Sequence, residues 1–369
     1  MPQDFQTRPR KTPDAIAAKS LIKAGKRTMK GLAKLKPEEG LWLTDSDIPK
    51  PGPEDVLIRV RRTAICGTDL HIYKWNDWAA RTIPLPMIVG HEFSGEIAEI
   101  GKNVTRPLYV GQAVSGEGHI IDLNSAAARR GQFHLDANTK SVGVNRQGAF
   151  AEYLCIPAFN VVPLPQDVSL DIGALLDPFG NAVHTAQQFP LMGEDVLITG
   201  AGPIGIMAAM VARKAGARTV VITDQNAYRL GLAAKLADVR PVHVGKDDLK
   251  SVMAQERIED GFGVAMEMSG APAAIRQAID SLRMGGNLAM LGIPPGTMEV
   301  VWGDIILKAI TIKGVYGREM FETWRKMLAL LHAGLDLKPL ITHQVPIEAF
   351  QSGFDAALSG QAGKVVLSW

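Results

Sequence analysis

Cys66, His91 and Glu92 place a thiol, an imidazole and a carboxylate in a chain that has only two cysteines. The thiol stands in Cys66-Gly67-Thr68-Asp69-Leu70-His71, the other two groups in Gly90-His91-Glu92. A catalytic zinc takes three protein ligands of these kinds and leaves a fourth position open, whereas a structural zinc is closed off, usually by several thiolates. The three residues are therefore the expected metal ligands of a site built for chemistry. Adjacent His91 and Glu92 reach one ion only if the local backbone turns one side chain back.

A second pattern, Gly200-Ala201-Gly202-Pro203-Ile204-Gly205, follows the apolar run Asp195-Val196-Leu197-Ile198-Thr199 and opens a helical stretch. That strand-turn-helix setting is what a dinucleotide site requires. Gly200 permits the tight turn, Gly202 lets backbone approach a pyrophosphate, and Gly205 allows close helix packing, while the helix N-terminus supplies partial positive charge. Asp224 ends the next strand, where a carboxylate accepts hydrogen bonds from the adenosine ribose and repels a 2′-phosphate, so NAD is preferred over NADP. Zinc beside a nicotinamide points to alcohol oxidation. A secondary alcohol is a poor hydride donor until it is deprotonated, and a Lewis acid at its oxygen lowers the barrier to proton loss.

Elements must hold these groups together, and 369 residues suffice for two domains with a proper interior each. From about Leu41 to Val60, and again through Phe93–Gly101 and Ala149–Leu154, strand-like segments alternate with turns such as Pro49-Lys50-Pro51-Gly52-Pro53. From Asp195 strands recur with helices between them, at Val196–Thr199, Thr219–Thr223, Val242–Val244, Val264–Met268 and Asn287–Leu291. This alternation implies parallel strands joined by crossover helices, a doubly wound α/β unit. A helix around Phe321–Ala333 and a strand at Lys364–Ser368 return to a different texture, so the doubly wound unit is expected as an insertion in a mostly β one.

Charged residues make up 21% of the chain and the formal charge is +2, which argues against nucleic acid or a membrane surface as a partner. Gly, Pro or charge interrupts every hydrophobic run before the roughly 20 residues of a membrane span. Cys66 and Cys155 cannot make a disulfide framework for this length, so a reducing compartment, the cytoplasm, is expected. Residues 1–28 are rich in Lys and Arg, and Ala15–Lys23 has the pattern of a short amphipathic helix. Asp4, Asp14 and few arginines favour a solvated or partner-touching tail over a targeting peptide.

Taken together, Cys-Gly-Thr-Asp-x-His at 66–71, Gly-His-Glu at 90–92, Gly-Ala-Phe-Ala-Glu-Tyr at 148–153 and the glycine fingerprint resemble the zinc-dependent medium-chain dehydrogenases from residue 29 onward. The resemblance implies a GroES-like, mostly β catalytic domain over 29–178 and 317–369, an inserted NAD-binding Rossmann domain over 179–316, and an N-terminal extension over 1–28. Longer strings resemble the threonine-oxidising branch of that family: Cys66 to Tyr73, Ser115 to His119, Asp177 to His184, Leu291 to Pro295 and Tyr316 to Trp324. They imply L-threonine and NAD as substrates, 2-amino-3-oxobutanoate and NADH as products, and a homotetramer. The family also places Asp177 beside the metal, as a proton relay or a supporting group. Thr68 and His71 are expected to pass the hydroxyl proton to solvent, a task that suits imidazole. Leu291, Gly292, Ile293, Val315 and Tyr316 are expected around the nicotinamide, with Ile204 and Arg229 joining the glycines and Asp224 in cofactor contacts.

Most members of the family carry a second, structural zinc held by four cysteines, and here the aligned positions are Asp122, Ser125, Ala128 and Asp136. Alanine offers no donor atom, and a pair of carboxylates does not replace four thiolates. One catalytic zinc per subunit and no structural zinc are expected, with that lobe held by packing or by another subunit. Threonine carries an ammonium and a carboxylate beside its hydroxyl, which makes His119, Glu117 and Arg318 the candidate substrate contacts. Two other readings remain. A polyol or 2,3-butanediol dehydrogenase uses the same zinc and cofactor on a neutral diol. A non-catalytic nicotinamide-binding protein predicts broken metal ligands, yet Cys66, His91, Glu92 and Asp177 are all present.

Overall fold

The structure, a computed structural model, describes residues 28–369. The helix expected over 15–23 lies outside the described residues. Among the described residues no helix is long and apolar enough to cross a membrane.

The first large sheet has seven strands, in the order Val161–Pro163, Ala113–Gly116, Glu92–Ile100, Asp55–Ala64, Lys364–Ser368 and Ile341–Pro346, with Tyr153–Pro157 paired to Asp55–Ala64 off that path. Asp55–Ala64 is its spine because alternate branched residues point one way. Val56, Ile58 and Val60 are at most 1% exposed and pack with Phe93, Ile97, Leu154 and Ile156. Each such side chain stabilises the fold by roughly 1.5–3 kcal/mol relative to exposure. Lys364–Ser368 lies antiparallel to Asp55–Ala64, so two strands made late in the chain, this one and Ile341–Pro346, extend one side of a sheet whose other strands come from its first half. The strand expected from Ala149 begins instead at Tyr153. Gly148, Ala149 and Phe150 donate their backbone N–H groups to the carbonyls of Ile88, Gly90 and Val89, which ties this segment to the residues just before His91.

The second sheet has six strands, ordered Arg240–His243, Thr219–Asp224, Asp195–Thr199, Phe262–Glu267, Leu282–Met290 and Thr311–Gly314. All its pairings are parallel. Val196, Leu197 and Ile198 are fully buried, as a strand covered by helices on both faces must be. The strand order reverses between Asp195–Thr199 and its two neighbours, which opens a crevice at the carboxyl ends of these strands. The strand expected at Asn287 starts at Leu282, because the ladder to Phe262–Glu267 continues past a register shift between Phe262 and Val264.

Candidate active site

Helix Gly67–Lys74 begins at Cys66, whose backbone N–H donates to Asp69 Oδ2 at 2.8 Å, so Asp69 fixes the turn that presents the thiol. Gly90 precedes His91 with φ +85°, and a Cβ there would strike the Phe150 ring at 2.0 Å. The glycine lets the chain pass over Phe150 and aim His91 before strand Glu92–Ile100 begins. One ligand atom each from Cys66, His91 and Glu92 then lie within 4.8 Å of one another, although two of the three are sequence neighbours.

His91 Nδ1, Glu92 Oε1 and Asp69 Oδ1 are buried and have no hydrogen-bond partner. Burial alone lowers the pKa of His91, but Cys66, Asp69 and Asp177 outweigh it and hold the imidazole well above its ordinary value. Burial raises Glu92, against the pull of Lys364 and His91. Unsatisfied buried acceptors in an anionic setting call for a cation, and the sulfur, nitrogen and oxygen donor set fits zinc. Sequence reasoning missed two supports of this cluster. Asp69 was visible as the third residue after a helix start, whereas Lys364, whose Nζ reaches Glu92 Oε2 at 2.5 Å and the Ile65 carbonyl at 2.7 Å, had no local signal. Thr68 Oγ1 lies 3.8 Å from Cys66 Sγ. His71 is one turn further along the helix and exposed, its Nδ1 2.9 Å from the Asn76 amide nitrogen, which leaves the ring proton on Nε2.

Glu117 and Arg318, expected to meet the charges of a substrate, are instead buried against each other, with side chains 0% and 1% exposed and 2.6 Å between them. Arg318 also holds Asp177 Oδ2 at 2.5 Å, its guanidinium 5.7 Å from the centre of the Trp324 ring. Trp324 Nε1 donates to the other Glu117 oxygen at 3.0 Å. The physical reason for the correction is compensation: a buried guanidinium needs carboxylates, and here it takes two from the protein itself. Burial by itself raises the Glu117 pKa, but Arg318, His119 and Trp324 hold it at about 2. His119 donates to Glu117 Oε1 through its backbone N–H at 3.0 Å and through Nδ1 at 2.8 Å, so Nε2 is the nitrogen left over. Its side chain is 24% exposed and its ring lies 6.2 Å from that of Tyr316. Of the three expected substrate contacts, His119 alone keeps accessible surface.

At the crevice Gly200 has φ +100° and donates to the Thr223 carbonyl at 2.8 Å, and Ala201 N–H donates to Asp224 Oδ2 at 2.7 Å. Gly202 caps helix Pro203–Lys214, with Ile204 in its first turn, and a Cβ on Gly202 would meet no protein atom within 4 Å, so the space over it is open. Asn226 caps the next helix, which frees Asp224 from that task, and Arg229 follows one turn in with Nε buried and unpartnered. Across the crevice the backbone N–H groups of Leu291 and Gly292 both donate to the Glu267 carbonyl, and Val315 N–H donates to Met290. Ile293 and Tyr316 are 88% and 55% exposed, flat apolar surfaces at the mouth. Glu267 itself is fully buried and accepts from the backbone of Ser269 and Gly270, a role hidden in what read as a core strand. A Cβ at Gly205 would come within 2.0 Å of the Gly200 carbonyl. Gly205→Ala is therefore expected to cost about 1–3 kcal/mol of stability and to weaken dinucleotide binding; an unchanged melting temperature would refute this.

In the lobe around residues 122–138, Asp136 accepts from the backbone of Asp122 at 2.7 Å and Asn138 at 3.2 Å, and Ser125 caps helix Ala126–Arg129 through Ala128 N–H at 3.1 Å. Hydrogen bonds around the Asp136 carboxylate hold this segment. Phe133, Phe159 and Phe321 stack edge-on in series, with centroids 5.7 and 5.1 Å apart.

Residues 52–166 match the alcohol dehydrogenase GroES-like domain and residues 203–333 the zinc-binding dehydrogenase family. An L-threonine 3-dehydrogenase from Ruegeria pomeroyi is 59% identical over 342 residues, covering 92% of this chain and all of the relative. One from Escherichia coli K12 is 57% identical over 341 residues with the same coverage. The chain belongs to the L-threonine 3-dehydrogenase family. Its fold is that of a medium-chain dehydrogenase, a GroES-like unit with a Rossmann-type one, as the sequence implied. A solved 2R,3R-butanediol dehydrogenase from Bacillus subtilis has a TM-score of 0.83 at 27% identity, covering 92% of this chain and 99% of that one. A short chain alcohol dehydrogenase from Escherichia coli CFT073, complexed with NADH, has a TM-score of 0.85 over 93% of this chain and 100% of its own; at 23% identity it speaks for the fold alone.

Proposed function

We propose that this chain oxidises the secondary hydroxyl of L-threonine with NAD, giving 2-amino-3-oxobutanoate and NADH. The observation that carries the reading is the convergence of Cys66, His91 and Glu92 within 4.8 Å in a chain 57–59% identical to L-threonine 3-dehydrogenases. A diol as natural substrate rests only on the 27% likeness to the butanediol enzyme.

Zinc, when bound by Cys66, His91 and Glu92, supplies Lewis acidity at the substrate hydroxyl. Glu92 keeps Oε1 for this purpose because Lys364 occupies Oε2. Asp177 acts as the orienting carboxylate beside the cluster, held in place by Arg318. Thr68, against the thiol, and His71, at the exposed helix face, carry the hydroxyl proton to solvent. Gly202 lets the backbone receive the pyrophosphate of the cofactor, Gly200 makes the turn and Gly205 the close helix packing that shape the loop, Ile204 and Arg229 add cofactor contacts, and Asp224 selects NAD by repelling a 2′-phosphate. Leu291, Gly292, Ile293, Val315 and Tyr316 flank the nicotinamide, and His119 contributes to substrate recognition. In this reading residues 29–178 and 317–369 form the catalytic unit, residues 179–316 bind the cofactor, and the catalytic cluster holds one zinc with no four-cysteine cage elsewhere.

Trp302, Ile306 and Leu307 are 66–78% exposed beside the edge strand Thr311–Gly314, an apolar margin suited to another subunit of a homotetramer. Both cysteines are free, in keeping with the cytoplasm. The test is NADH absorbance with L-threonine, sorbitol and 2,3-butanediol in parallel, with and without a chelator. Faster turnover of either diol, or indifference to the chelator, would sink the proposal. His71→Ala is expected to lose about 10²-fold or more in turnover while keeping its zinc. Unchanged turnover would remove His71 from the proton path.

A further inference from the structure

We propose, against the expectation of a single zinc per subunit, that His134, His184 and Glu319 form a second divalent-metal site, of the zinc class, that clamps lobe 121–139 to the body of the molecule. Two groups of metal-capable side chains occur among the described residues, the catalytic cluster and this one, and here too the ligand atoms lie within 4.8 Å of one another. The three come from separate segments: the turn Phe133–Leu135 in the lobe, helix Leu176–Ala186, and the loop that follows Val315.

The hydrogen bonding of His184 is already that of a metal-binding imidazole. Its side chain is 8% exposed, and Nδ1 lies 2.9 Å from the Gly317 carbonyl. A carbonyl only accepts, so the proton sits on Nδ1 and Nε2 carries the lone pair. An outer N–H donated to backbone is the usual support of a ligating histidine. Nε2 faces Glu319 Oε1 at 3.9 Å. Two lone-pair atoms thus confront each other beyond hydrogen-bond range, at a separation that a common ion with bonds of about 2.1 Å can bridge. The His134 ring stands edge-on to His184, 5.5 Å between centroids and 89° between planes.

A proton is a poor occupant of this space. Burial lowers the pKa of both histidines, and at His184 it outweighs the Gly317 carbonyl and Glu319, with Lys313 and Lys326 acting in the same sense as burial. Those lysines also oppose a dication, so this site fills after the catalytic one. Two imidazoles with one carboxylate suit zinc and the later first-row metals, whereas calcium and magnesium ask for oxygen. Glu319, 47% exposed, leaves room for water at a further position. Without the ion, the lobe is held by the Asp136 hydrogen bonds and the Phe133–Phe159–Phe321 stack; with it, the lobe is tied to the loop that carries Tyr316 and Arg318.

The test uses the full chain with its zinc replaced by Co²⁺, followed through a second equivalent. The first equivalent, at Cys66, gives thiolate-to-cobalt charge transfer in the near ultraviolet. The second is expected to add only d–d bands and to slow amide exchange over residues 126–139. His134→Ala and Glu319→Gln should each weaken the second equivalent by about tenfold or more and leave the first, with its charge-transfer band, as the record of an intact fold. A second equivalent that is absent at millimolar cobalt, or that binds equally well in both variants, overturns the proposal.

Discussion

Cys66→Ala is expected to weaken metal binding by more than about 100-fold, beyond the usual effect of losing even an outer-shell partner, and to cut turnover by roughly 10³-fold. The thiolate is the soft donor of the cluster, and its loss leaves His91 and Glu92 with too few partners to hold a dication against exchange. The fold should survive. Cys66 starts helix Gly67–Lys74 through its backbone N–H on Asp69, a bond that alanine retains. Cys155 cannot substitute, because it sits opposite Leu57 in the sheet and burial, with Asp55 acting in the same sense, pushes its thiol up to about 11. Metal content after dialysis against a weak chelator, near-ultraviolet dichroism and kcat form the check. A variant that keeps catalytic-site metal and full turnover would mean that the thiol is not a ligand.

Arg318→Met should destabilise the protein by about 3–5 kcal/mol at neutral pH, since it strands the buried carboxylates of Glu117 and Asp177. Arg318→Lys should not rescue fully, because one ammonium lacks the planar fork that serves both acids. The pH dependence has a definite sign. Despite burial, Arg318 holds Glu117 at about 2 in the fold against an ordinary value of 4.5, so its depressed pKa contributes stability that is present above about 4.5 and is lost as pH falls through about 2. The variant lacks most of that contribution. The gap in melting temperature between wild type and Arg318→Met is therefore expected to narrow steadily as pH drops below 4.5. A gap that is constant from pH 7 to pH 3 would show that Arg318 acts through packing alone. Turnover should fall as well, because Asp177 loses the guanidinium that fixes its carboxylate.

What was legible in the sequence is what has a local cause. The glycine loop carries its own turn chemistry, and Gly90 before His91 explains how two neighbouring residues can serve one ion. Strand and helix alternation gave the parallel sheet, with ends misjudged at Leu282 and Tyr153, where the ladder and the turn into Val89 decide the boundary instead of side-chain pattern. What stayed hidden depends on contacts between segments far apart in the chain. Lys364 meets Glu92 across 272 residues, and Arg318 meets Glu117 across 201. Each of those four side chains, read alone, looks like a solvated charge or a substrate contact. Only the fold that brings them together shows them to be partners in the interior.

The pairing of the late strand Lys364–Ser368 with the early strand Asp55–Ala64 also bears on how the enzyme is made. A ribosome releases Asp55–Ala64 and the Cys66 turn long before it releases the lysine that sits against Glu92. Until the late strand emerges, the sheet has an open side along the end of Asp55–Ala64 and an acidic pocket without its counter-ion. Chaperones and proteases therefore meet an open intermediate until Lys364 emerges, and a premature stop codon upstream of Lys364 leaves that pocket permanently unfinished.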